Sequence, residues 1–199
     1  VRQTRVELHG RAARGKLDTT ATHAALDQHF KNAKTSGKRL RALWAMHVCG
    51  RFTGEHRSDL IKLLAHEDEQ IRAWAVQLIC EDQKPGAAEL DRLVEMAESD
   101  PSPVVRLYLA SALPRLPFEE RWPILGALAQ RNEDINDPNI PRVLWFGLEP
   151  MVTKHPQLAL ATVVAGKIPF LQECVARRMV SGAQASAADG KRPVGPGEL

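Results

Sequence analysis

The chain has 199 residues, of which 44% are apolar and 26% are charged, so it can form one core or a short array of repeats. Its longest apolar run, LALATVVAG, is far too short to span a bilayer, and no signal peptide is visible; we therefore expect no membrane insertion. The net charge of +3 is uneven, because residues 1–50 hold 10 Lys or Arg against 3 Asp or Glu, and the remainder holds 17 against 21. A basic first quarter is typical of a solvated helical face, or of a surface that meets an acidic partner or nucleic acid.

The composition is rich in Ala, Leu and Arg and has a single Tyr, which favours helices over strands. In chain order, the sequence predicts a capping helix over 2–13 and then five pairs of helices. The predicted pairs are 20–33 with 38–49, 56–65 with 69–80, 86–98 with 102–113, 118–131 with 139–149, and 156–166 with 168–181. Short linkers such as NAKTSGK and EDQKPG are typical of antiparallel helix neighbours.

Four of the second helices align on an arginine, with spacings of 31, 34 and 36 residues; these anchors are Arg41, Arg72, Arg106 and Arg142. Apolar residues stand one, two and four positions after the arginine in every copy, which indicates helices buried on most sides. Such a drifting repeat predicts an all-α fold, an α-solenoid of about five stacked helix pairs.

Residues suited to helix ends support these boundaries. The predicted N-caps are Asp68, Ser102 and Asn139. Prolines are predicted to occupy the first helical position at Pro103 and Pro156, and to stop helices at Pro114 and Pro150.

The C-terminal segment GAQASAADGKRPVGPGEL is rich in Gly, Ala and Pro and has two apolar residues larger than Ala. It cannot bury enough surface to offset its ordering entropy. We therefore predict a helical domain over 1–181 and a disordered tail or linker over 182–199. Because the chain begins at Val rather than Met, we expect either a fragment of a longer protein or a processed product.

The arginine repeats resemble HEAT repeats, through DEQIRAWA and through Asp100 and Arg106, which lie six residues apart. More specifically, KRLRALWAMHVCG, AHEDEQIRAWAVQLICED, DPSPVVRLYLASALPRLPFEERWPIL, LWFGLEP and KIPFLQECVARR together resemble the HEAT segment of PVC-type haem-binding CxxCH proteins, also called membrane-bound dehydrogenase-domain proteins. The resemblance covers roughly residues 35–180.

This resemblance implies an exported, periplasmic parent protein that transfers electrons between a propeller dehydrogenase domain and a c-type cytochrome domain. Neither domain is present in this sequence, so no functional residue can be carried over. The segment itself would be a spacer without catalysis and without a cofactor.

In HEAT repeats, the arginine typically bridges to the aspartate of the turn between paired helices, because a guanidinium can bind a carboxylate with two hydrogen bonds. The resemblance implies a structural ladder with Asp68 as partner of Arg72, Asp100 of Arg106 and Asp137 of Arg142. Each rung could also reach a neighbouring turn. Arg41 has no obvious acid before it. The functional alternative is a stripe of arginines that binds anions or phosphate.

Trp44 and Trp145 share the position three residues after the arginine, on the predicted inner helices. Such tryptophans usually belong to the core, but one exposed column could stack a base or a sugar. With Arg142, they form the candidate interaction surface.

Cys49 and Cys80 share a column too, but stacked helices lie about 8–10 Å apart, beyond the usual reach of a disulfide, so we predict free thiols. His47 and Cys49 are two positions apart on a helix and point in different directions, which argues against a metal site. No P-loop, GxGxxG, GxSxG or HExxH motif occurs.

These observations predict a non-catalytic scaffold or protein-interaction module, with its inner helices carrying any contact. The alternative is a nucleic-acid-binding protein related to HEAT-like DNA glycosylases, for which Trp44, Trp145, Arg142 and the basic first quarter would form the groove. The acidic C-terminal pairs disfavour that alternative, because nucleic-acid sites usually need a continuous basic stripe. We therefore expect protein partners.

Overall fold

The computed structural model of the chain describes residues 2–189, in which eleven α-helices and short 3₁₀ turns occur and no strand is present. The helices are α1 (Arg2–Ala13), α2 (Thr19–Asn32), α3 (Ser36–Val48), α4 (Ser58–Leu63), α5 (Glu69–Ile79), α6 (Ala87–Ser99), α7 (Pro103–Ala112), α8 (Phe118–Ala129), α9 (Ile140–Lys154), α10 (Pro156–Ala165) and α11 (Pro169–Asp189). The all-α prediction is confirmed, and each predicted helix corresponds to one observed helix.

Neighbouring helices pack in a regular order. Helix α2 packs on α3, α4 on α5, α6 on α7, α8 on α9 and α10 on α11. The second members of these pairs also pack on one another in chain order, α3 on α5, α5 on α7, α7 on α9 and α9 on α11. Helix α1 lies against α3, at the N-terminal end of this row.

One hydrophobic core runs through the row of helices from Leu43 on α3 to Val175 on α11. Helix α5 is the most completely enclosed, because six of its eleven residues are buried. This enclosure follows from the sequence, in which apolar residues occur at consecutive positions and again one turn later. No helix in the described part of the chain has the length and apolar character needed to cross a membrane.

Two of the three predicted N-caps are confirmed. The Asp68 carboxylate accepts a hydrogen bond from the Gln70 amide at 3.0 Å, and the Ser102 hydroxyl accepts one from the Val105 amide. Asn139 occupies the predicted N-cap position of α9, but its side chain makes no capping bond. Asp137 caps α9 instead, since its carboxylate accepts from the Asn139 and Ile140 amides at 2.8 Å each.

The prolines behave as predicted except at Pro150. Pro103 and Pro156 begin their helices, and α7 gives way to a 3₁₀ turn that contains Pro114. Helix α9, however, continues past Pro150 to Lys154. Pro150 costs one backbone hydrogen bond, but the turn beyond it buries Met151 and Val152, and this burial offsets the loss.

The last helix continues beyond residue 181, the predicted end of the helical domain. Helix α11 extends to Asp189, eight residues into the segment predicted as a tail over 182–199. Residues 190–199 of that predicted tail lie outside the described residues.

Candidate functional site

Two arginines of the repeat join consecutive turns of the fold. Arg72 donates to both carboxylate oxygens of Asp100, at 2.8 Å from Nε and 2.9 Å from Nη2. Arg106 binds Asp134 in the same way, with both distances at 2.6 Å. The remaining nitrogen of each guanidinium turns back to the turn before its own helix; Arg72 Nη1 donates to the carbonyl of His66 and Arg106 Nη1 to that of Asp100.

The predicted partners of Arg72 and Arg106 are therefore wrong, and each observed partner lies one helix pair further along the chain. The sequence pairs Arg72 with Asp68 and Arg106 with Asp100, but each arginine binds the carboxylate in the turn between the two helices of the next pair. The physical reason is that the carboxylate before each helix bonds its own turn: Asp68 caps α5 by accepting from the Gln70 amide, and Asp100 accepts from the Ser102 amide just before α7. The long arginine side chain then extends to the carboxylate of the next helix pair, which comes within reach only when the pairs stack.

The first rung of this series involves Arg39 rather than the predicted Arg41. Arg39 stands four residues after the N-cap Thr35, as Arg72 does after Asp68, and its Nη1 lies 3.7 Å from the Asp68 carboxylate. Arg41 lies two positions further on, where a helical side chain faces the other way, and it is exposed.

The predicted last rung, between Asp137 and Arg142, is also absent from the described contacts. Asp137 is occupied as the cap of α9, and Arg142 is exposed and donates to the carbonyl of Pro138. The acid that Arg106 uses, Asp134, was missed by sequence reasoning. A signal for it existed, because Asp134 follows Arg106 by 28 residues and Asp100 follows Arg72 by the same 28.

Sequence reasoning also missed two arginines, Arg57 and Arg121, that bind residues of the turns. Arg57 donates to Asp82 and to Glu89 and also reaches the carbonyl of Ile79, and its hydrogen bond to Asp82 is the main cause that raises its pKa. Arg121 is buried without a carboxylate beside it; it donates to the carbonyls of Leu116 and Pro114, and burial lowers its pKa. These groups hold turns together, which is a structural role.

The aromatic residues of the candidate interaction surface are separated. Trp44 on α3 meets Trp74 on α5 edge to face, with 4.8 Å between ring centroids, and Trp74 in turn lies 6.1 Å from Tyr108 on α7. Trp145 is half-buried on α9, and α5 and α7 lie between α9 and the α3 helix that carries Trp44, so the two predicted tryptophans do not share one site. Beside Trp145, the side chain of Phe146 is 64% exposed.

The most apolar exposed surface belongs to α10. Leu158, Leu160 and Val164 are 44%, 41% and 67% exposed, and α10 has no charged residue. The signal was present in the sequence as the run LALATVVAG, which sequence reasoning used only to exclude a membrane span. We call Leu158, Leu160 and Val164 the α10 surface.

His47 contacts an acidic side chain that follows α5. The Nε2 atom of His47 lies 2.7 Å from a carboxylate oxygen of Glu81. This contact joins α3 to the residues that follow α5. Among the residues described here, no group of three or more His, Cys, Asp or Glu side chains is placed to hold a metal ion.

All three cysteines are free thiols, as predicted for Cys49 and Cys80. Cys49 and Cys80 each form the C-cap of an inner helix and are buried, whereas Cys174 on α11 is half-buried. Burial raises the pKa of each thiol, and it raises that of Cys80 to about 12.

We expect the thiols to differ in their rate of alkylation. At pH 8 in native buffer, Cys174 should react with iodoacetamide first, while Cys80 should react only after unfolding in urea. A pKa near 12 leaves roughly a thousandfold less thiolate than an ordinary thiol has, and burial blocks access as well. Peptide mass spectrometry over time measures each site, and labelling of Cys80 as fast as that of Cys174 would contradict the expectation.

Comparison of the chain with protein-family models, with curated proteins and with solved structures found no match.

Proposed function

We propose that this chain is a non-catalytic helical-repeat scaffold, an α-solenoid of about five HEAT-like helix pairs that holds a protein partner. The packing order supports the proposal, because α3, α5, α7, α9 and α11 pack in chain order and each is preceded by its own partner helix. The two arginine–carboxylate contacts with a separation of 28 residues support it too, since stacked repeats reuse one contact between nearest neighbours.

The buried charges support a structural rather than a catalytic role. Asp100, Arg106 and Asp134 are each held by two or more hydrogen bonds within the turns, and Glu89 accepts from both Arg57 and the Gly86 amide. A general acid or base must be able to exchange its proton with a substrate. Side chains committed in this way to guanidinium and backbone partners serve the fold instead.

The observation that carries the interaction role is the exposure of the α10 surface. Leu160 and Val164 lie four residues apart and so share one face of the helix, whereas Leu158, two positions before Leu160, is exposed on another side. Contiguous exposed apolar side chains mark interaction sites more often than isolated ones do. Because α8, α9 and α11 already pack against α10, we infer that the occupant of its exposed side is an amphipathic helix of the partner, which packs on α10 as these helices do.

The resemblance to the HEAT segment of haem-binding CxxCH proteins suggests that this partner helix belongs to a neighbouring redox domain. The module would then set the distance and orientation between domains.

The proposal is tested by site-specific photo-crosslinking in the cells from which the sequence comes. A benzophenone amino acid is placed at position 160, or at position 28 on the exposed face of α2 as the matched control. We expect position 160 to crosslink to one helix of a partner, and we expect Val164→Glu to abolish that crosslink. Glutamate in the apolar stripe of the mapped helix should abolish it as well.

Two results would contradict the proposal. Equal crosslinking from positions 28 and 160 would show that the α10 surface is not selective. Crosslinks from position 160 to another copy of this chain alone would show self-association in place of a scaffold role.

A further inference from the structure

A second feature, at the opposite end of the row of helices, is a cavity between α1, α2 and α3. Its volume is about 480 Å³. Pockets that hold small organic ligands measure about 300–1,000 Å³ and are mostly apolar, with a few polar groups that orient the ligand. The floor of this cavity has that character, because it is formed by Leu8 of α1, Leu26 of α2, and Ala42 and Ala45 of α3.

The charged groups that line the cavity are basic, and Thr4 and Asn32 add neutral polar groups. Lys38 and Arg41 lie three residues apart on α3 and so share a face, and His29 of α2 lines the same cavity. None of the described residues that line the cavity carries a carboxylate. Both Lys38 and Arg41 are exposed, which allows their charged ends to meet a ligand from solvent.

The nearby acids are committed elsewhere. Residues 1–50 contain three of them, and Glu7 pairs with Arg11 at 2.8 Å. Asp18 caps α2 by accepting from the Ala21 amide, and Asp27 lies 3.4 Å from Arg51. The positive charge of the cavity is therefore not neutralised from within the described part of this segment.

Arg41 is available because the repeat does not use it. The rung at this position is made by Arg39, whose guanidinium lies 3.6 Å from Glu67 and 3.7 Å from Asp68. Arg41 faces away from that contact, toward the cavity, and among the described residues it has no ion-pair partner. A guanidinium binds a carboxylate with two parallel hydrogen bonds, which combine charge with direction.

We infer that this cavity binds a small amphipathic carboxylate, whose aliphatic or aryl body rests on Leu8, Leu26 and Ala45 and whose carboxylate is held by Arg41 and Lys38. The inference goes beyond the scaffold proposal and is independent of it, since the α10 surface lies at the other end of the row.

The test uses octanoate as the probe and the full chain labelled with ¹⁵N. Octanoate is titrated in NMR experiments, with octylamine as a probe of the same apolar body and opposite charge. We expect saturable shift changes confined to the amides of α1–α3 with octanoate, and none with octylamine. The variants are Arg41→Gln and, as the matched control, Arg142→Gln, which changes an exposed arginine at the far end of the row.

Arg41→Gln should weaken octanoate binding about tenfold or more, since a hydrogen bond to a charged group is lost, and Arg142→Gln should leave the affinity unchanged. Neither variant removes a buried contact, so both should keep the native spectrum. Absence of octanoate binding, equal binding of octylamine, equal effects of the two variants, or shift changes centred on α10 would each overturn the inference.

Discussion

Replacing Arg106 by alanine should lower the free energy of unfolding by about 3–5 kcal/mol, because it leaves the Asp134 carboxylate buried without a counter-charge. The side chains of Arg106 and Asp134 are only 3% and 2% exposed, and the two hydrogen bonds between them are both 2.6 Å long. The variant also loses the bond from Arg106 to the Asp100 carbonyl, which joins the previous turn. Urea unfolding followed by circular dichroism measures the change.

The control for this prediction is Arg142→Ala, which removes the arginine that the sequence aligns with Arg106 but that is exposed. We expect that change to stay within about 0.5 kcal/mol, as is usual for surface substitutions. The double variant Arg106→Met with Asp134→Leu should recover much of the loss, since replacing a buried ion pair by apolar side chains is often close to neutral. A loss below about 1 kcal/mol for Arg106→Ala would show that the pair does not hold the turns together.

The second large effect is expected at Gly147, in the middle of α9. A Cβ atom there would lie 2.7 Å from Leu113 Cβ and 2.8 Å from Leu113 Cδ1, which is closer than such atoms normally approach. Gly147→Ala should therefore destabilise the protein by about 1–3 kcal/mol, the usual cost of overpacking a core. Thermal unfolding measured by calorimetry reports the change.

Gly126→Ala is the matched control, because Gly126 also lies inside a helix, α8, but has no atom within 4 Å of the added Cβ. Alanine is the better helix former by about 0.5–1 kcal/mol, so this variant should be more stable than the parent. The same substitution thus has opposite signs at the two sites. Equal effects would mean that α9 and the turn at Leu113 pack less closely than the structure shows.

The helices were well predicted because their signals are local. Helix α5 was predicted over 69–80 and observed over Glu69–Ile79, since Asp68 caps its start and the apolar pattern continues along its length. Where the local signal was a single residue, it was less reliable. Pro150 did not end α9, because burial of Met151 outweighed the hydrogen bond that the proline removes.

The candidate site was predicted less well than the helices. The sequence singled out Asp68, Arg72, Asp100 and Arg106 as structural residues of the turns, and all four make such contacts. It did not show that Arg39 stands in the place assigned to Arg41. The apolar columns of the sequence favour Arg41, and only the position of the N-cap Thr35, four residues before Arg39, points to Arg39.

The sequence by itself determined that this chain is helical, where each helix begins, and which faces are apolar, because hydrogen bonds and side-chain periodicity within a single helix decide these properties. Only the tertiary structure decided which arginine meets which carboxylate, that Trp44 meets Trp74, and that the α10 surface stays exposed. These outcomes depend on how far each helix is rotated and shifted against its neighbours. The packing of the whole core sets that rotation and shift, and no single segment encodes them.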